Sequence, residues 1–345
     1  MSKKLFRSRA PLRIGLAGGG TDVSPYTDLY GGAVLNATIS LYAHASLELL
    51  DEPIVILSAA DRGEEIRLPA TAELPMEEPL LLLRGVYNRI VRDFVGRPLP
   101  LRLTTSVDVP PGSGLGTSST LVVALIGSFV EALSLPLGEY EIARLAYEIE
   151  RIDLRQAGGR QDQYAATFGG VNFMEFYAEE RVIVNPLRIK PEYLYELEHD
   201  LLLYYTATSR FSSAIIESQQ EKVRTGAKDS IEATHRLKEE AFRMKEALLK
   251  GQINQIGEIL DAGFQYKRKL AEGISTPLID EIYEAARKAG ATGGKISGAG
   301  GGGFMVFYCP GTARYAVEAA LKAFGGRSFP YHFVKHGLTT WTAKL

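Results

Sequence analysis

The sequence predicts a fold that combines β-strands and α-helices in two domains or one large domain. The chain has 345 residues, which is enough for two domains with buried cores. Its N-terminal part alternates apolar and polar residues with the period of β-strands, followed by helical patterns, and the composition changes after about residue 190. We therefore predict an N-terminal domain over residues 1–190 and a C-terminal domain over residues 191–345.

Composition places the chain among ordinary globular proteins and argues against several partners. Hydrophobic residues make up 46% and charged residues 23% of the chain. A net charge of −2 gives no reason to expect nucleic acid or an anionic membrane as partner. Cys309 is the only cysteine, so no intramolecular disulfide forms, and no apolar run approaches the roughly 20 residues that span a bilayer. We expect a cytoplasmic protein.

Apolar periodicity predicts the elements of the N-terminal part. Leu12, Ile14 and Leu16 alternate with Arg13 and Gly15, which is typical of a strand. Further elements are predicted as strands at 33–50, a hairpin at 54–58 and 65–68, a helix at 79–94, a strand at 99–107, helices at 117–133 and 137–153, and a strand from residue 169. The helix at 117–133 is apolar almost all round, which predicts that it is buried.

The C-terminal part is predicted to be mainly helical. A strand is expected at 201–206, and a charged helical region at 212–251 is expected to break near Gly226. The remaining elements are predicted as helices at 253–270 and 276–289, a strand at 304–308, a helix at 315–324 and a final strand at 331–335.

A glycine-rich stretch in the middle of the chain is the most informative motif. It reads Pro110-Pro111-Gly112-Ser113-Gly114-Leu115-Gly116-Thr117-Ser118-Ser119 and runs directly into a helix. Glycines let backbone N–H groups close on an anion, and a helix N-terminus favours negative charge. Hydroxyl groups at the helix start can cap the helix or ligate a metal bound to phosphate. By itself the stretch also fits an ordinary turn with a Ser or Thr cap.

A second glycine run follows the first strand as Gly18-Gly19-Gly20-Thr21-Asp22. Successive glycines allow a ligand to approach the backbone closely, and Asp22 can accept hydrogen bonds from hydroxyls or hold a cation. A flexible turn would leave the same pattern. Arg13, on the preceding strand, could equally be a surface charge.

Two carboxylates lie where a plain surface role is harder to argue. Glu150 ends the apolar face of the helix predicted at 137–153. Asp162 lies between glycine pairs and small residues, where the backbone can be held tightly and the carboxylate aimed. Asp162 could still be a turn or helix-cap residue.

A third glycine cluster lies near residue 298. The spacing of Gly298, Gly300 and Gly303 matches a dinucleotide fingerprint, but that motif needs a strand before it and a helix after it. Here a helix precedes and a strand follows. No glycine run ends in Gly-Lys-Ser/Thr, so there is no P-loop. We predict that this cluster packs against another backbone, such as the central glycine stretch.

The three glycine motifs, in this order, resemble those of the GHMP small-molecule kinases, which include galactokinase, homoserine kinase, mevalonate kinase and phosphomevalonate kinase. The central signature looks like residues 110–119 and the third like residues 295–304, and together the motifs span residues 9–304. The resemblance implies an α+β fold with an N-terminal ATP-binding domain of the ribosomal-protein-S5-domain-2-like type and a ferredoxin-like C-terminal domain. It also implies an ATP-dependent phosphotransferase with an alcohol acceptor, which uses ATP and Mg²⁺.

The resemblance also implies roles for individual residues. Asp162 would be the catalytic aspartate, Arg13 the basic residue beside the reacting hydroxyl, and Ser118 and Glu150 the Mg²⁺ ligands. The residues that would bind ATP are Pro111, Gly112, Ser113, Gly114, Leu115, Gly116, Thr117, Ser118 and Ser119. The residues that would bind the substrate are Arg13, Gly18, Gly19, Gly20, Thr21, Asp22, Asp162, Gly300 and Gly301.

One departure from the family pattern bears on the substrate. Galactokinases have Gly-Glu-His-Thr-Asp where this chain has Gly18-Gly19-Gly20-Thr21-Asp22, and the missing Glu and His argue against galactose. With residues 267–270 and 293–295, this motif resembles kinases of D-glycero-α-D-manno-heptose 7-phosphate, which make the 1,7-bisphosphate for nucleotide-activated heptose. A kinase of another sugar such as L-fucose, or a non-catalytic binding protein on the same fold, is the alternative.

A sugar phosphate substrate requires a cationic site for its own phosphate. The candidates are Arg210, Lys267 and Arg160. A solvated surface position is the alternative for each, and the run Lys267-Arg268-Lys269 could simply be a solvated helix face.

Overall fold

The computed structural model describes residues 4–208 and 213–344, and this part of the chain forms two β-sheets with helices packed on them. The larger sheet has eight strands, seven from the N-terminal half and one from the C-terminal end. The smaller sheet has four strands, all from the C-terminal half. The mixture of strands and helices predicted from the sequence, and the α+β fold that the resemblance implies, are confirmed.

The larger sheet is organised around its two longest strands. Its strands are β1 (Lys4–Ala17), β2 (Gly32–Leu49), β3 (Ile54–Ala59), β4 (Glu64–Pro69), β5 (Leu101–Val107), β6 (Val171–Phe176), β7 (Val182–Pro186) and, from the chain end, β12 (Thr339–Lys344). The order is β12-β1-β2-β5-β3-β4, and β6 joins β2 to β7. On β1, Leu12, Ile14 and Leu16 are buried as the alternation predicts, and Arg13 on the opposite face is buried too.

The helices in the described part of the chain include the one that the sequence predicts to be buried. The helices are α1 (Tyr26–Tyr30), α2 (Leu81–Ile90), α3 (Thr117–Leu133), α4 (Glu139–Tyr147), α5 (Gln161–Phe168), α6 (Pro191–Asp200), α7 (Ser213–Arg224), α8 (Lys228–Lys250), α9 (Ile256–Lys267), α10 (Pro277–Lys288) and α11 (Ala313–Leu321). Helix α3 packs against β1 and β2 on one side and against α2, α4 and α5 on others. Its all-round apolar surface is therefore buried in the N-terminal core, and its N-terminus is fixed in position.

Helix α4 continues as a π-helical turn over Glu148–Asp153. A π turn adds a residue to the helical repeat and so changes the direction in which the following side chains point. Glu150 is completely buried, whereas Glu148 forms ion pairs near the surface with Arg89 and Arg144. The sequence analysis predicted one regular helix over 137–153. The structure instead has a π-helical turn at the point where the Glu150 carboxylate is directed into the protein interior.

The smaller sheet is antiparallel and shares a core with the larger one. Its strands are β8 (Leu201–Tyr205), β9 (Gly293–Ile296), β10 (Phe304–Tyr308) and β11 (Arg327–Ser328), in the order β11-β8-β10-β9. Ala241 and Met244 of α8 belong to one apolar cluster with Leu12 of β1 and Val306 of β10. This shared cluster holds the two halves together. Within the described ranges, no helix combines the length and apolar character needed to cross a membrane.

The C-terminal end differs from the sequence prediction. The strand predicted at 331–335 forms only an isolated bridge between Phe333 and Ile39. The last strand is β12, which pairs with β1. Its residues, Thr-Thr-Trp-Thr-Ala-Lys, are largely exposed and offer no apolar face that periodicity could detect. The boundary at residue 190 stays a prediction, and the end of the chain returns to the N-terminal sheet.

Two glycines of α9 provide a matched test of the close packing in the C-terminal half. A Cβ at Gly257 would lie 2.0 Å from Thr292 Oγ1, whereas a Cβ at Gly263 would have its nearest neighbour 4.0 Å away. We expect Gly257→Ala to lower the free energy of unfolding by about 1–3 kcal/mol because it overpacks the interface. Gly263→Ala should raise it by about 0.5–1 kcal/mol because alanine favours helix. Denaturant unfolding measures both, and equal effects would contradict this packing.

Candidate active site

A cavity of about 610 Å³ lies where the three glycine-rich segments meet. We call these segments the first loop (residues 18–22), the central loop (residues 110–116) and the third loop (residues 297–303). Both halves of the chain contribute to its wall, since Ser213, Gln219, Lys267, Lys295 and Gly298 line it with the N-terminal residues. The cavity therefore lies between the two halves of the chain.

The central loop leads into α3 without a side-chain cap. Gly112, Gly114 and Gly116 have φ angles of 71°, 77° and 80°, which favour glycine. Ser113 and Thr117 hydrogen-bond each other through their hydroxyls, 2.8 Å apart, instead of capping the helix. The uncapped start of α3 lines the cavity, which is the arrangement that an anion-binding helix N-terminus requires.

The third loop packs directly against the central loop, as the sequence analysis predicts. A Cβ at Gly298 would lie 2.6 Å from Gly114 Cα, and a Cβ at Gly303 would lie 2.4 Å from Ser113 O. Phe304 N donates to Ser113 O over 2.9 Å, and Ser297 Oγ donates to Gly114 O over 2.9 Å. The glycines thus serve a close approach of two backbones.

Arg13 and Asp162 form a two-pronged ion pair at the cavity wall. Arg13 Nε and Nη2 donate to the two carboxylate oxygens over 2.7 and 3.0 Å, and Arg13 Nη1 donates to Gly114 O over 2.7 Å. Arg13 is 4% exposed, whereas the Asp162 side chain keeps 20% of its surface accessible. The guanidinium therefore fixes the carboxylate while leaving it open to the cavity.

Ser118 and Glu150 provide two oxygens that suit a hard divalent cation. Ser118 Oγ lies 2.8 Å from Glu150 Oε1, and Gln163 Nε2 donates to the other carboxylate oxygen over 2.6 Å. Neighbouring ligands of an octahedral Mg²⁺ with 2.0–2.1 Å bonds are about 2.9 Å apart. The donor set and its spacing therefore fit Mg²⁺. Only Ser118 lies at the cavity wall, with Glu150 buried behind it.

Asp22 is held by protein donors on all sides. Its Oδ2 accepts from the backbone N–H groups of Arg160 and Gln161, and its Oδ1 accepts from Gly20 N and Gln161 Nε2, all within 3.0–3.2 Å. Asp22 is 1% exposed, and burial raises the pKa of its carboxyl above the ordinary value. A direct bond to a sugar hydroxyl would require the Gln161 amide to move. In this arrangement Asp22 anchors the start of α5, next to Asp162.

Two buried lysines also line the cavity. Lys267, at the end of α9, donates to Gly298 O, and Lys295 lies on β9. Burial, reinforced by the neighbouring Arg13, lowers the pKa of Lys267 to about 8. Burial and the nearby Lys267 and Arg13 lower the pKa of Lys295 well below its ordinary value. Burial thus disfavours the charged forms of both lysines.

Several residues that were predicted to contact ligands do not line the cavity. Gly18 and Thr21 pack against the backbone near Ala33, and Gly300 and Gly301 pack against Ile274. Ser113 and Leu115 are fully buried in the central loop. Arg160 donates to Tyr177 O and Asp28, and none of these seven residues belongs to the cavity wall. Arg210 lies outside the described residues.

The structure adds cavity residues that the sequence analysis did not single out. Lys295 belongs to the motifs at 293–295 and 295–304 that carried the resemblance, but the sequence analysis assigned it no contact with a ligand. Arg151 donates to Ser119 Oγ and Gly159 O beneath the cavity. Gln219 of α7 donates to Gly20 O over 2.9 Å. Contacts between helices distant in sequence leave no local pattern.

Comparison with known families agrees with this arrangement. Residues 82–170, which contain the central loop, match the family described as GHMP kinases N terminal domain. Residues 244–327, which contain the third loop, match the family described as GHMP kinases C terminal.

Individual relatives extend the similarity over nearly the whole chain. The D-glycero-alpha-D-manno-heptose 7-phosphate kinase of Campylobacter jejuni is 47% identical over 98% of this chain and 99% of its own length. The crystal structure of a D-glycero-D-manno-heptose 1-phosphate kinase from Bacteroides thetaiotaomicron superposes with a TM-score of 0.83 at 43% identity, over 97% of this chain and 98% of that one. The L-fucokinase/L-fucose-1-P guanylyltransferase of Bacteroides fragilis is 27% identical over 88% of this chain and 34% of its own length.

The contact between the loops can be tested with two glycines of similar backbone conformation. Gly298 has φ 66° and Gly311 has φ 63°, but only a Cβ at Gly298 meets the central loop, since Gly311 has no atom within 4 Å. In both alanine variants the free energy of unfolding should fall by about 1–2 kcal/mol, because alanine is strained in the left-handed conformation. We expect only Gly298→Ala to weaken ATP binding as well, by about tenfold, because it displaces Gly114. Calorimetric titration measures the affinities, and an equal affinity in both variants would refute the coupling.

Proposed function

Since this chain belongs to the GHMP kinases, we propose that it transfers the γ-phosphoryl group of ATP to the anomeric hydroxyl of D-glycero-D-manno-heptose 7-phosphate. The product would be the 1,7-bisphosphate, a precursor for nucleotide-activated heptose. The observation that carries the chemical part of this proposal is the Arg13–Asp162 pair in the cavity wall beside the uncapped start of α3. The near full-length 47% identity to a heptose 7-phosphate kinase supports the choice of sugar.

The names of the two heptose kinase relatives put the phosphate that the substrate already carries at different carbons. In either reaction the site would bind two phosphorylated molecules at the same time, ATP and a heptose monophosphate. We favour the 7-phosphate as substrate because the relative with that name is the more similar in sequence. The reacting hydroxyl would then be the one at C1.

ATP would bind along the central loop. Its phosphates would lie at the N-terminus of α3, where the N–H groups at the start of the helix and the helix dipole stabilise negative charge. Beyond the loop the cavity wall becomes apolar, with Leu83, Val107, Val109 and Leu121, and this suits a purine base. The use of ATP fits the cytoplasmic location predicted from the sequence.

Ser118 and Glu150 would hold Mg²⁺, which when bound neutralises charge on the β- and γ-phosphates. The protein orients these two oxygens itself. Gln163 Nε2 engages one Glu150 oxygen, so the other faces Ser118. The complete burial of Glu150 keeps bulk water away from this side chain.

Asp162 would accept the proton of the reacting hydroxyl. Arg13 uses one lone-pair position on each carboxylate oxygen, which leaves the other positions for a substrate hydroxyl. The same guanidinium would stabilise negative charge that develops on the hydroxyl oxygen. The joint presence of Arg13, Asp162, Ser118 and Glu150 favours a catalyst over a non-catalytic binding protein.

The product identifies the reaction. With heptose 7-phosphate and Mg-ATP, we expect phosphorus NMR to show a new anomeric phosphate coupled to H1 while the 7-phosphate signal remains, because C1 carries the acceptor hydroxyl. L-Fucose under the same conditions is the comparison substrate. Turnover of fucose in preference to the heptose phosphate would reject the proposed substrate.

The role of Asp162 is tested by Asp162→Asn, which removes the proton acceptor. We expect turnover to fall by about 100-fold or more, with the affinity for a non-hydrolysable ATP analogue little changed. Asp280→Asn is the matched control, because Asp280 also pairs with an arginine, Arg268, away from the cavity. Near-normal turnover of Asp162→Asn would exclude the assigned role.

A further inference from the structure

Lys267 and Lys295 present unused hydrogen-bond donors to the cavity. They are 6% and 7% exposed, and both line the wall. Each ammonium group has three N–H donors. Lys267 uses one of them for Gly298 O, and no residue in the described ranges accepts a hydrogen bond from Lys295. Five donors of the pair therefore remain for a ligand.

In the part of the chain that the structure describes, neither lysine forms an ion pair with a carboxylate. Arg13, Lys267 and Lys295 are close enough to disfavour one another's charged forms, whereas Asp22 and Asp162 favour the charged form of Lys267. Asp162 is already paired with Arg13, and Asp22 is surrounded by four uncharged donors. Burial of an unpaired charge destabilises the folded state. An anionic ligand would remove that cost.

The orientation of the central loop separates this site from the position of the ATP phosphates. Gly114 O accepts from Arg13 and Ser297, and Ser113 O accepts from Phe304 N. The central loop therefore presents carbonyl oxygens to Arg13 and to the third loop, whose Gly298 O accepts from Lys267, whereas the free N–H groups are those at the start of α3. Carbonyl oxygens repel an anion, so an anion at the lysines would be held by the lysines and not by the central loop.

We propose that Lys267 and Lys295 together bind the phosphate monoester that the sugar substrate already carries. This proposal rests on the proposed function for the identity of the sugar. The two ammonium groups would select a phosphorylated sugar over the same sugar without phosphate, because the latter leaves the buried charges unpaired. The lysines are thus binding residues, and transfer at the acceptor hydroxyl is left to Asp162 and Arg13.

The first test compares phosphorylated and unphosphorylated heptose as substrates. We expect Lys295→Met and Lys267→Met each to lower the preference for the phosphorylated sugar, measured as a ratio of kcat/KM values, by about tenfold or more. The KM for ATP should change little. Lys288→Met, on the exposed side of α10, is the matched control and should keep the wild-type ratio. An unchanged ratio in both variants, or a loss confined to the KM for ATP, would overturn the proposal.

The second test does not depend on turnover. With the nucleotide site filled by Mg²⁺ and a non-hydrolysable ATP analogue, inorganic phosphate should raise the melting temperature of the wild type and of Lys288→Met, but not of either site variant. Without phosphate, both site variants should melt at or above the wild-type temperature, since each loses a buried charge. A lower melting temperature would indicate a structural role instead.

The two tests separate the two proposals. If the wild type does not phosphorylate the heptose phosphate but shows the phosphate-dependent stabilisation through both lysines, the proposed function fails and the anion site stands. If it phosphorylates the sugar and the variants respond to phosphate like the wild type, the anion site fails and the proposed function stands.

Discussion

The buried guanidinium of Arg13 is the interaction on which the site depends. It contacts both oxygens of Asp162, the carbonyl of Gly114 and, at 3.5 Å, the hydroxyl of Ser297. It thereby joins β1, α5, the central loop and the third loop, which come from opposite ends of the chain. Because guanidinium is planar and remains charged, it sets direction as well as distance. Loss of any partner would leave a polar group unsatisfied in a buried position.

Glycines contribute to the shape of the cavity, since Gly19, Gly20, Gly112, Gly114, Gly116 and Gly298 line it. At Gly298 and Gly303, the third loop approaches the backbone of the central loop more closely than a side chain would allow, and this contact supports the central loop. The result is a loop of defined conformation made from residues that are flexible in the unfolded chain, since the conformational freedom of glycine is lost on folding. The buried lysines, in contrast, are unfavourable for stability because they have no ion-pair partner among the described residues. An anion that binds them would remove this cost.

Asp22 shows how a residue type can be anticipated while its contacts are not. The sequence indicated that Asp22 could bind the substrate, and in the structure Asp22 lines the cavity. Its oxygens are occupied by N–H groups at the start of α5 and by Gln161, so it orders the segment that carries Asp162. Its influence on the chemistry in this structure is therefore exerted through the position of α5.

The sequence by itself predicted most of the strands and helices and, through the resemblance of its three glycine motifs, the residues of the proposed chemistry, because strand periodicity, the apolar α3 and these motifs are local patterns. It predicted Arg13, Asp162, Ser118 and Glu150 as a group, and the structure brings the first pair and the second pair each within hydrogen-bond distance. Only the tertiary structure decided which other residues line the cavity. Strand β12 pairs through its backbone, Arg160 turns away from the cavity, and Lys295 enters it. These outcomes depend on contacts between distant segments, which leave no periodic signal in the chain.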